Sequence, residues 1–405
     1  METTTREGRL SPRARRALPL IAASVLVAAW ASVAYLQPSL LRLPLPAPPA
    51  RAAGPAVLSN DYAATYAFLT PSLGWALVTE TSSLTPRFSV FRTTDAARHW
   101  RRQFTRQLNV ISLDTFLLRF FDPNHGFIAM GDPTEIYRTS DGGTQWALVK
   151  TPSYLFSSFV PADALHGWLL GWTGPPDQMV PDLFSTSDGG DTWIALPHAL
   201  PWAGGQSGYR SANLIFRSPR EGWFGATAAE PIVYSSVDGG ASWEPHTLPT
   251  ILDPNLCPGA KPLPPGAQAQ LITYADLLPG HGVVVLTNDY CGHVEGHTSL
   301  DDGQTWQRLA TPPGATSWWN FAYQDSSHWW TVQSGTLWKT SDAGLSWTLV
   351  SKQNNDWDYV LHVIDAKHVW AELSSKVPGP PGGAGLAVTS DGGQHWTQVN
   401  APKPT

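Results

Sequence analysis

Cysteine is nearly absent: Cys257 and Cys291 are the two thiols in 405 residues, so at most one intramolecular disulfide is possible. Charge is sparse too, with Asp, Glu, Lys and Arg making up 14 % of the chain, while 35 Gly and 36 Pro are scattered throughout. That balance excludes a highly charged disordered protein and a long-helix protein. The glycines follow no three-residue period, which excludes collagen. Only one long uncharged apolar run exists, Ala17 to Leu36.

That run follows Arg6, Arg9, Arg13, Arg15 and Arg16. Its 20 residues match a hydrocarbon core of about 30 Å at roughly 1.5 Å per residue. It reads as a single membrane-spanning signal anchor. The apolar region of a cleaved signal peptide is typically about 7 to 15 residues, with its small-residue cleavage site close behind. Here the small-residue site Ala50-Arg51-Ala52 lies well downstream. The expected organisation is a basic cytoplasmic tail over 1–16, the anchor over 17–36, a Pro-rich extended linker over 37–57 and a folded unit over 58–400. The basic flank keeps the tail inside and sends the rest out of the cytoplasm, as a single-pass protein of the cell membrane.

Residues 1–51 hold seven Arg and two Glu, so the remainder carries 19 basic and 30 acidic side chains, a net of −11. An acidic body argues against nucleic acid as a partner, because phosphate neutralisation needs clustered Lys and Arg. The same average argues against docking on an anionic membrane surface.

What is abundant is tryptophan, with 20 residues. A tryptophan-bearing motif occurs seven times: Thr93–Trp100 (TTDAARHW), Thr139–Trp146 (TSDGGTQW), Thr186–Trp193 (TSDGGDTW), Ser236–Trp243 (SVDGGASW), Ser299–Trp306 (SLDDGQTW), Thr340–Trp347 (TSDAGLSW) and Thr389–Trp396 (TSDGGQHW). Its aspartates, Asp95, Asp141, Asp188, Asp238, Asp301, Asp342 and Asp391, recur at propeller-blade spacing. An Asp carboxylate can accept main-chain N–H groups of the turn that follows it. The Gly two residues later suits positive φ. Copy one has Ala97 there, so its turn is expected to be distorted. The Trp is expected to open the next strand and bury its face on a neighbouring unit.

A second turn signal precedes each motif, as in Leu73-Gly74-Trp75, His166-Gly167-Trp168 and Glu221-Gly222-Trp223, with short apolar runs on either side. Each repeat therefore reads strand, turn, strand, loop, strand, Asp turn, strand. Four antiparallel strands seven times over predict an all-β, seven-bladed β-propeller of four-stranded blades. Six blades would require one copy, the degenerate first, to be spurious.

The motif resembles the Asp-box, or BNR repeat, of sialidase-type propellers. The combination of Gly-Trp turn and Thr-Ser-Asp-Gly-Gly-x-x-Trp is most similar to the photosystem II assembly and stability factor-like group. The resemblance implies that the first strand of each blade is innermost and that the Asp boxes share one face. Ligands are then met on the other face, and the seven aspartates are structural. The long loops expected on the ligand face are 172–182, 196–213, 248–270, 287–297 and 374–385. Cys257 and Cys291 fall in two of these and flank one blade, a placement compatible with a disulfide or with two separate thiols.

Aromatic residues ahead of inner strands nominate a binding surface: Tyr209, Trp318, Trp319 and Trp357, joined by Trp202, Arg210, Tyr290 and His293. Packing between blades is the competing use of these rings. Asp289, Cys291, His293, Glu295 and His297 are ligand types at alternating positions, but Gly292 and Gly296 suggest a loop and Cys257 is a better candidate partner for Cys291 than a metal. No metal or cofactor is expected, and no residue is nominated as catalytic. A sialidase would need three arginines, an activated Tyr with a Glu and an acidic Asp. Of Arg138, Arg210 and Arg217, the first leads straight into an Asp motif. The reading that follows is a non-catalytic scaffold for a protein, peptide or glycan, with a sialidase-like glycoside hydrolase as the alternative.

Overall fold

The computed structural model describes residues 62–80, 87–107, 112–132, 135–152, 156–173, 180–196, 200, 213–250, 271–289, 293–315, 321–333, 335–352, 357–375 and 385–403. The expected anchor and linker lie outside them.

Seven antiparallel sheets follow one another along the chain. Blade one is β1 (Tyr62–Phe68), β2 (Gly74–Glu80), β3 (Arg87–Thr93) and β4 (Arg101–Gln107). Blade two is β5 (Ser112–Phe120), β6 (Gly126–Asp132), β7 (Glu135–Thr139) and β8 (Ala147–Leu148). Blade three is β9 (Phe156–Pro161), β10 (Gly167–Thr173), β11 (Val180–Thr186) and β12 (Ile194–Leu196). Blade four is β13 (Asn213–Phe216), β14 (Gly222–Gly225), β16 (Ile232–Ser236) and β17 (Glu244–Thr247), with the extra β15 (Thr227–Ala228) between its second and third strands. Blade five is β18 (Leu271–Leu277), β19 (Val283–Asp289), β20 (Val294–Ser299) and β21 (Gln307–Arg308). Blade six is β22 (Phe321–Tyr323), β23 (Trp329–Gln333), β24 (Thr336–Thr340) and β25 (Thr348–Lys352). Blade seven is β26 (Trp357–Val363), β27 (Val369–Ser375), β28 (Gly385–Thr389) and β29 (Thr397–Val399).

First strands contact one another around the ring, β1 with β5 and β22 with β26 among them, whereas the fourth strands are the most exposed of each blade. The first strand is therefore innermost, as the resemblance implied.

Strands two and three read as unbroken apolar runs because both faces of each blade are covered. In β2, Trp75 and Leu77 pack on blade two through Phe120, Ile128 and Tyr137. The alternate residues Ala76 and Val78 pack on blade seven through Trp370 and Leu386. Seven apolar clusters form in this way, one per blade interface, so the ring is closed and contains seven blades. Fully burying one such large side chain contributes about 1.5–3 kcal/mol.

Aromatic stacking recurs at these interfaces. The Trp that follows the first hairpin turn of a blade lies flat on the last residue of the next blade's first strand: Trp75 on Phe120 at 3.7 Å, Trp168 on Phe216 at 3.4 Å and Trp370 on Phe68 at 4.1 Å between ring centroids. Two of these indoles also donate Nε1–H to a turn carbonyl of the next blade, Trp75 to Gly142 (2.8 Å) and Trp168 to Gly239 (2.9 Å).

The seven Asp turns share one hydrogen-bond plan. The Ser or Thr two residues before the Asp donates to its Oδ1, as in Thr186 to Asp188 at 2.8 Å, and accepts the N–H of the residue two after it, as from Gly190 at 2.9 Å. The main-chain N–H four after the Asp also donates to Oδ1, as from Thr192 at 2.9 Å. Copy one is not distorted as expected: Ala97 donates its N–H to Thr93 Oγ1 at 3.0 Å, and His99 N–H reaches Asp95 Oδ1 at 3.0 Å. Ala97 manages this at φ 59° where Gly143 has 92°, inside the small left-handed region open to a residue with a Cβ. The motif Trp stands at the end of the turn rather than opening the strand, since β4 starts at Arg101 and β8 at Ala147.

Candidate ligand face

One end of the ring is occupied by turns that satisfy their own polar groups. Six Asp turns are tied to the first hairpin turn of the same blade by a main-chain bond, for example Gly142 N–H to Asn124 O at 2.8 Å and Gly392 N–H to Lys367 O at 3.0 Å. That hairpin turn carries a further aspartate, which the His-Gly step alone does not reveal. Asp122, Asp163, Asp325 and Asp365 each accept two main-chain N–H groups and face the ring Nδ1 of the His three residues on, such as His125 at 2.8 Å and His368 at 2.8 Å. The signal that could have found them is an Asp three before each of these histidines.

Cations complete this end. Arg138 of blade two donates to the carbonyls of Asp188 and Gly189, both at 3.1 Å, and to Asp191 at 2.5 Å in blade three. Lys339 of blade six lies 3.4 Å from the Trp330 ring centroid, and burial, opposed by Asp391, lowers its pKa to about 8. Arg217 bonds Asp302 at 3.2 Å and the Gly282 carbonyl. Glu221, His281 and Asp302 form a cluster of metal-ligand types here, but the Arg217 guanidinium already sits against both carboxylates.

The connections from second to third strands, and from one blade to the next, start and end at the opposite face. Of the nominated binding residues, Trp202, Tyr209, Arg210, Tyr290, Trp318 and Trp319 lie outside the described residues, as do Cys257 and Cys291. Trp357 is the first residue of β26, paired with Ser375, rather than a residue ahead of the strand. His293 is exposed and closes the β19–β20 hairpin: its N–H donates to Asp289 Oδ1 at 2.9 Å and its ring Nδ1 lies 2.7 Å from Oδ2. The expected loop 287–297 is correspondingly short, because β19 runs to Asp289 and β20 starts at Val294 with Gly296 inside it.

The loop end of blade five also carries polar side chains in its interior. Thr287, Glu295 and His297 are each at most 2 % exposed and face blade four with Val285. Glu295 is held by Arg308 Nε at 2.7 Å and by the Thr250 hydroxyl at 2.5 Å. Burial, opposed by the Glu295 charge, lowers the His297 pKa. The same interface is stitched by hydrogen bonds: β15 of blade four pairs with β18 through main chain, and Ala275 N–H donates to the Asn213 side-chain Oδ1 at 2.6 Å. On the inner strands, desolvation raises the Asp276 pKa to about 6 while Tyr323 of blade six, its hydrogen-bond donor, opposes the shift.

A Tyr–Glu pair of the kind a sialidase requires exists at Tyr137 and Glu135, but Tyr137 is fully buried against Phe88 of blade one. Burial first, and then the Glu135 hydrogen bond, raise its pKa, the opposite of an activated nucleophile. Arg138 and Arg217 both belong to the turn-bearing end.

Neither a family model nor a curated protein matches the chain. Solved structures similar to it include YCF48 bound to D1 peptide, at 17 % identity over 83 % of this chain and 99 % of that one with a TM-score of 0.48. A GH74 xyloglucanase from Xanthomonas campestris is 14 % identical over 81 % and 76 % with a TM-score of 0.32. A PL25 ulvan lyase with bound sugar is 10 % identical over 89 % and 98 % with a TM-score of 0.50. At identities of 10–17 % the likeness to these structures is one of fold.

Proposed function

We propose that this chain is a membrane-anchored, extracytoplasmic propeller of Asp-box type that holds a protein, peptide or glycan on its loop-bearing face without transforming it. The observation that carries the proposal is the division of labour between the two faces. The turn aspartates are committed to their own turns, and Arg138 and Arg217 to the next blade, so that much of the hydrogen-bonding capacity of that face is spent. The opposite face starts and ends every long connection, and such connections are where binding residues concentrate on a rigid scaffold. A non-catalytic role is favoured by the commitments of Arg138, Arg217 and Tyr137, which take up two arginines and a tyrosine of the kinds a sialidase would need. A peptide is the first ligand class to test, the class held by YCF48 in the structure similar to this one.

The test is capture of partners from detergent-solubilised membranes by the full chain and by a Trp318→Ala, Trp319→Ala variant. A partner held by the first and lost by the second supports the reading. Turnover of fluorogenic sialosides or other glycosides at ordinary enzymatic rates would replace it with the hydrolase alternative.

A further inference from the structure

The net charge of the folded unit conceals a local reversal. Residues 87–107 contain Arg87, Arg92, Arg98, Arg101, Arg102 and Arg106 against the single acid Asp95, a net of +5. Removing these from the 19 basic and 30 acidic residues after position 51 leaves 13 and 29, a net of −16. The fold gathers the arginines on the rim of blade one. β4 is the outermost strand of its sheet and leaves one edge unpaired. At seven residues it is also the longest outer strand, the others having two to five. Arg87, Arg98, Arg101, Arg102 and Arg106 are exposed, and Arg101 stands directly across from Arg92 in the β3–β4 register. Arg92 and Arg106 lie over the rings of Trp75 and Tyr137, but like charges opposed across a ladder are unfavourable, so packing does not account for the exposed Arg87, Arg98 and Arg101. Among the described residues, Arg87, Arg98 and Arg101 are in no ion pair with a carboxylate.

We infer that this arginine edge seats on the anionic headgroups of a lipid bilayer and holds the propeller edge-on to the membrane. The occupant follows from where the chain enters. The inference rests on the anchoring proposed above: a span over 17–36 and a linker over 37–57 deliver the chain to β1, so blade one is the blade nearest the tether in sequence. The rest of the body, at net −16, is repelled by the same surface, which makes orientation as well as attraction a consequence of charge. A basic side chain close to an anionic surface raises occupancy roughly fivefold, and the effect fades within about one Debye length of 8–10 Å.

The experiment places the full-length chain in nanodiscs of phosphatidylcholine alone and of phosphatidylcholine with phosphatidylglycerol, and measures hydrogen exchange over residues 101–107. Exchange of the outward-facing β4 amides is expected to slow several-fold with the anionic lipid only, and to recover in high salt. Arg98→Glu with Arg101→Glu should abolish the protection, and Arg98→Lys with Arg101→Lys should retain it. Equal exchange in both discs would overturn the inference, as would protection that requires a co-purifying acidic protein in place of lipid. Carbonate extraction of the chain from vesicles tests the anchor separately: release there removes the tether, while salt-sensitive protection on added anionic vesicles would still report the arginine edge.

Discussion

Phe68 ends the innermost strand of blade one and lies on Trp370 of blade seven, with ring planes 2° from parallel and centroids 4.1 Å apart. Around this stack Glu372 of blade seven accepts the Tyr66 N–H at 2.9 Å and faces His362 at 2.7 Å, and Trp100 Nε1–H donates to the Asn400 carbonyl at 2.8 Å. Among the described residues no strand of one terminal blade is donated to the other, so side chains close the ring. Trp370→Ala is expected to lower unfolding free energy by about 3–5 kcal/mol, the usual range for a buried aromatic, and Phe68→Ala, at a half-buried position, by less. The double-mutant cycle should show a coupling of about 0.5–1.5 kcal/mol from the stack itself. Strictly additive losses in chemical denaturation would mean that closure resides elsewhere.

The Asp turns should make the protein acid-sensitive in a defined window. Asp301 has its pKa lowered to about 2, first by the Thr305 hydroxyl and then by the Thr305 N–H. Asp391 also lies at about 2, where desolvation acts to raise it and the His395 N–H and ring overcome that. A folded pKa below the ordinary carboxylate value stabilises fully above about pH 4, and the contribution is lost as pH falls towards 2. Asp301→Asn and Asp391→Asn should therefore be less stable than the parent at pH 7 and converge on it near pH 2, read as denaturation midpoints. A gap that stays constant with pH would show that geometry rather than charge matters.

Asp276 should behave in the opposite sense. Its pKa is raised to about 6 by desolvation, so its contribution is most favourable below about pH 4 and is lost as pH rises through 6. Asp276→Asn is expected to gain stability relative to the parent between pH 4 and pH 7, with the advantage smallest at the acid end. An advantage that shrinks towards neutral pH would contradict the assignment.

Turn backbone offers a paired test. Ala96 sits at φ 60°, where the matching residues of other copies are Gly142 and Gly189 at 73° and 72°. Ala96→Gly is expected to stabilise by about 0.5–1 kcal/mol through relief of left-handed strain. Gly190 is the reverse case: its φ is 94°, and a Cβ at this position would stand only 2.5 Å from Val149 Cγ1. Gly190→Ala should cost about 2 kcal/mol or more. Thermal shifts of the same sign for both variants would refute the conformational argument.

Much of the architecture is legible in the chain because the repeat is local. A Ser or Thr, an Asp, a Gly and a Trp at fixed spacing encode a complete turn whose hydrogen bonds are nearly all made within eight residues. Seven such turns, separated by apolar runs buried on both faces, determined the number of blades and the order of their strands. Sequence periodicity could not assign partners between blades. That Trp75 would meet Phe120, that β15 would join β18 and that Tyr137 would be sealed against Phe88 are contacts between residues distant in sequence. Each depends on how neighbouring sheets twist and pack. Tertiary structure likewise decided the meaning of charge. The whole-body sum is acidic, but the force on an ion or a membrane fades within about one Debye length, so what matters is that β4 lies on the outer rim with its arginines together. The sequence by itself determined the turns and the count, while only the closed ring decided which side chains are spent inside it and which are left to face a partner.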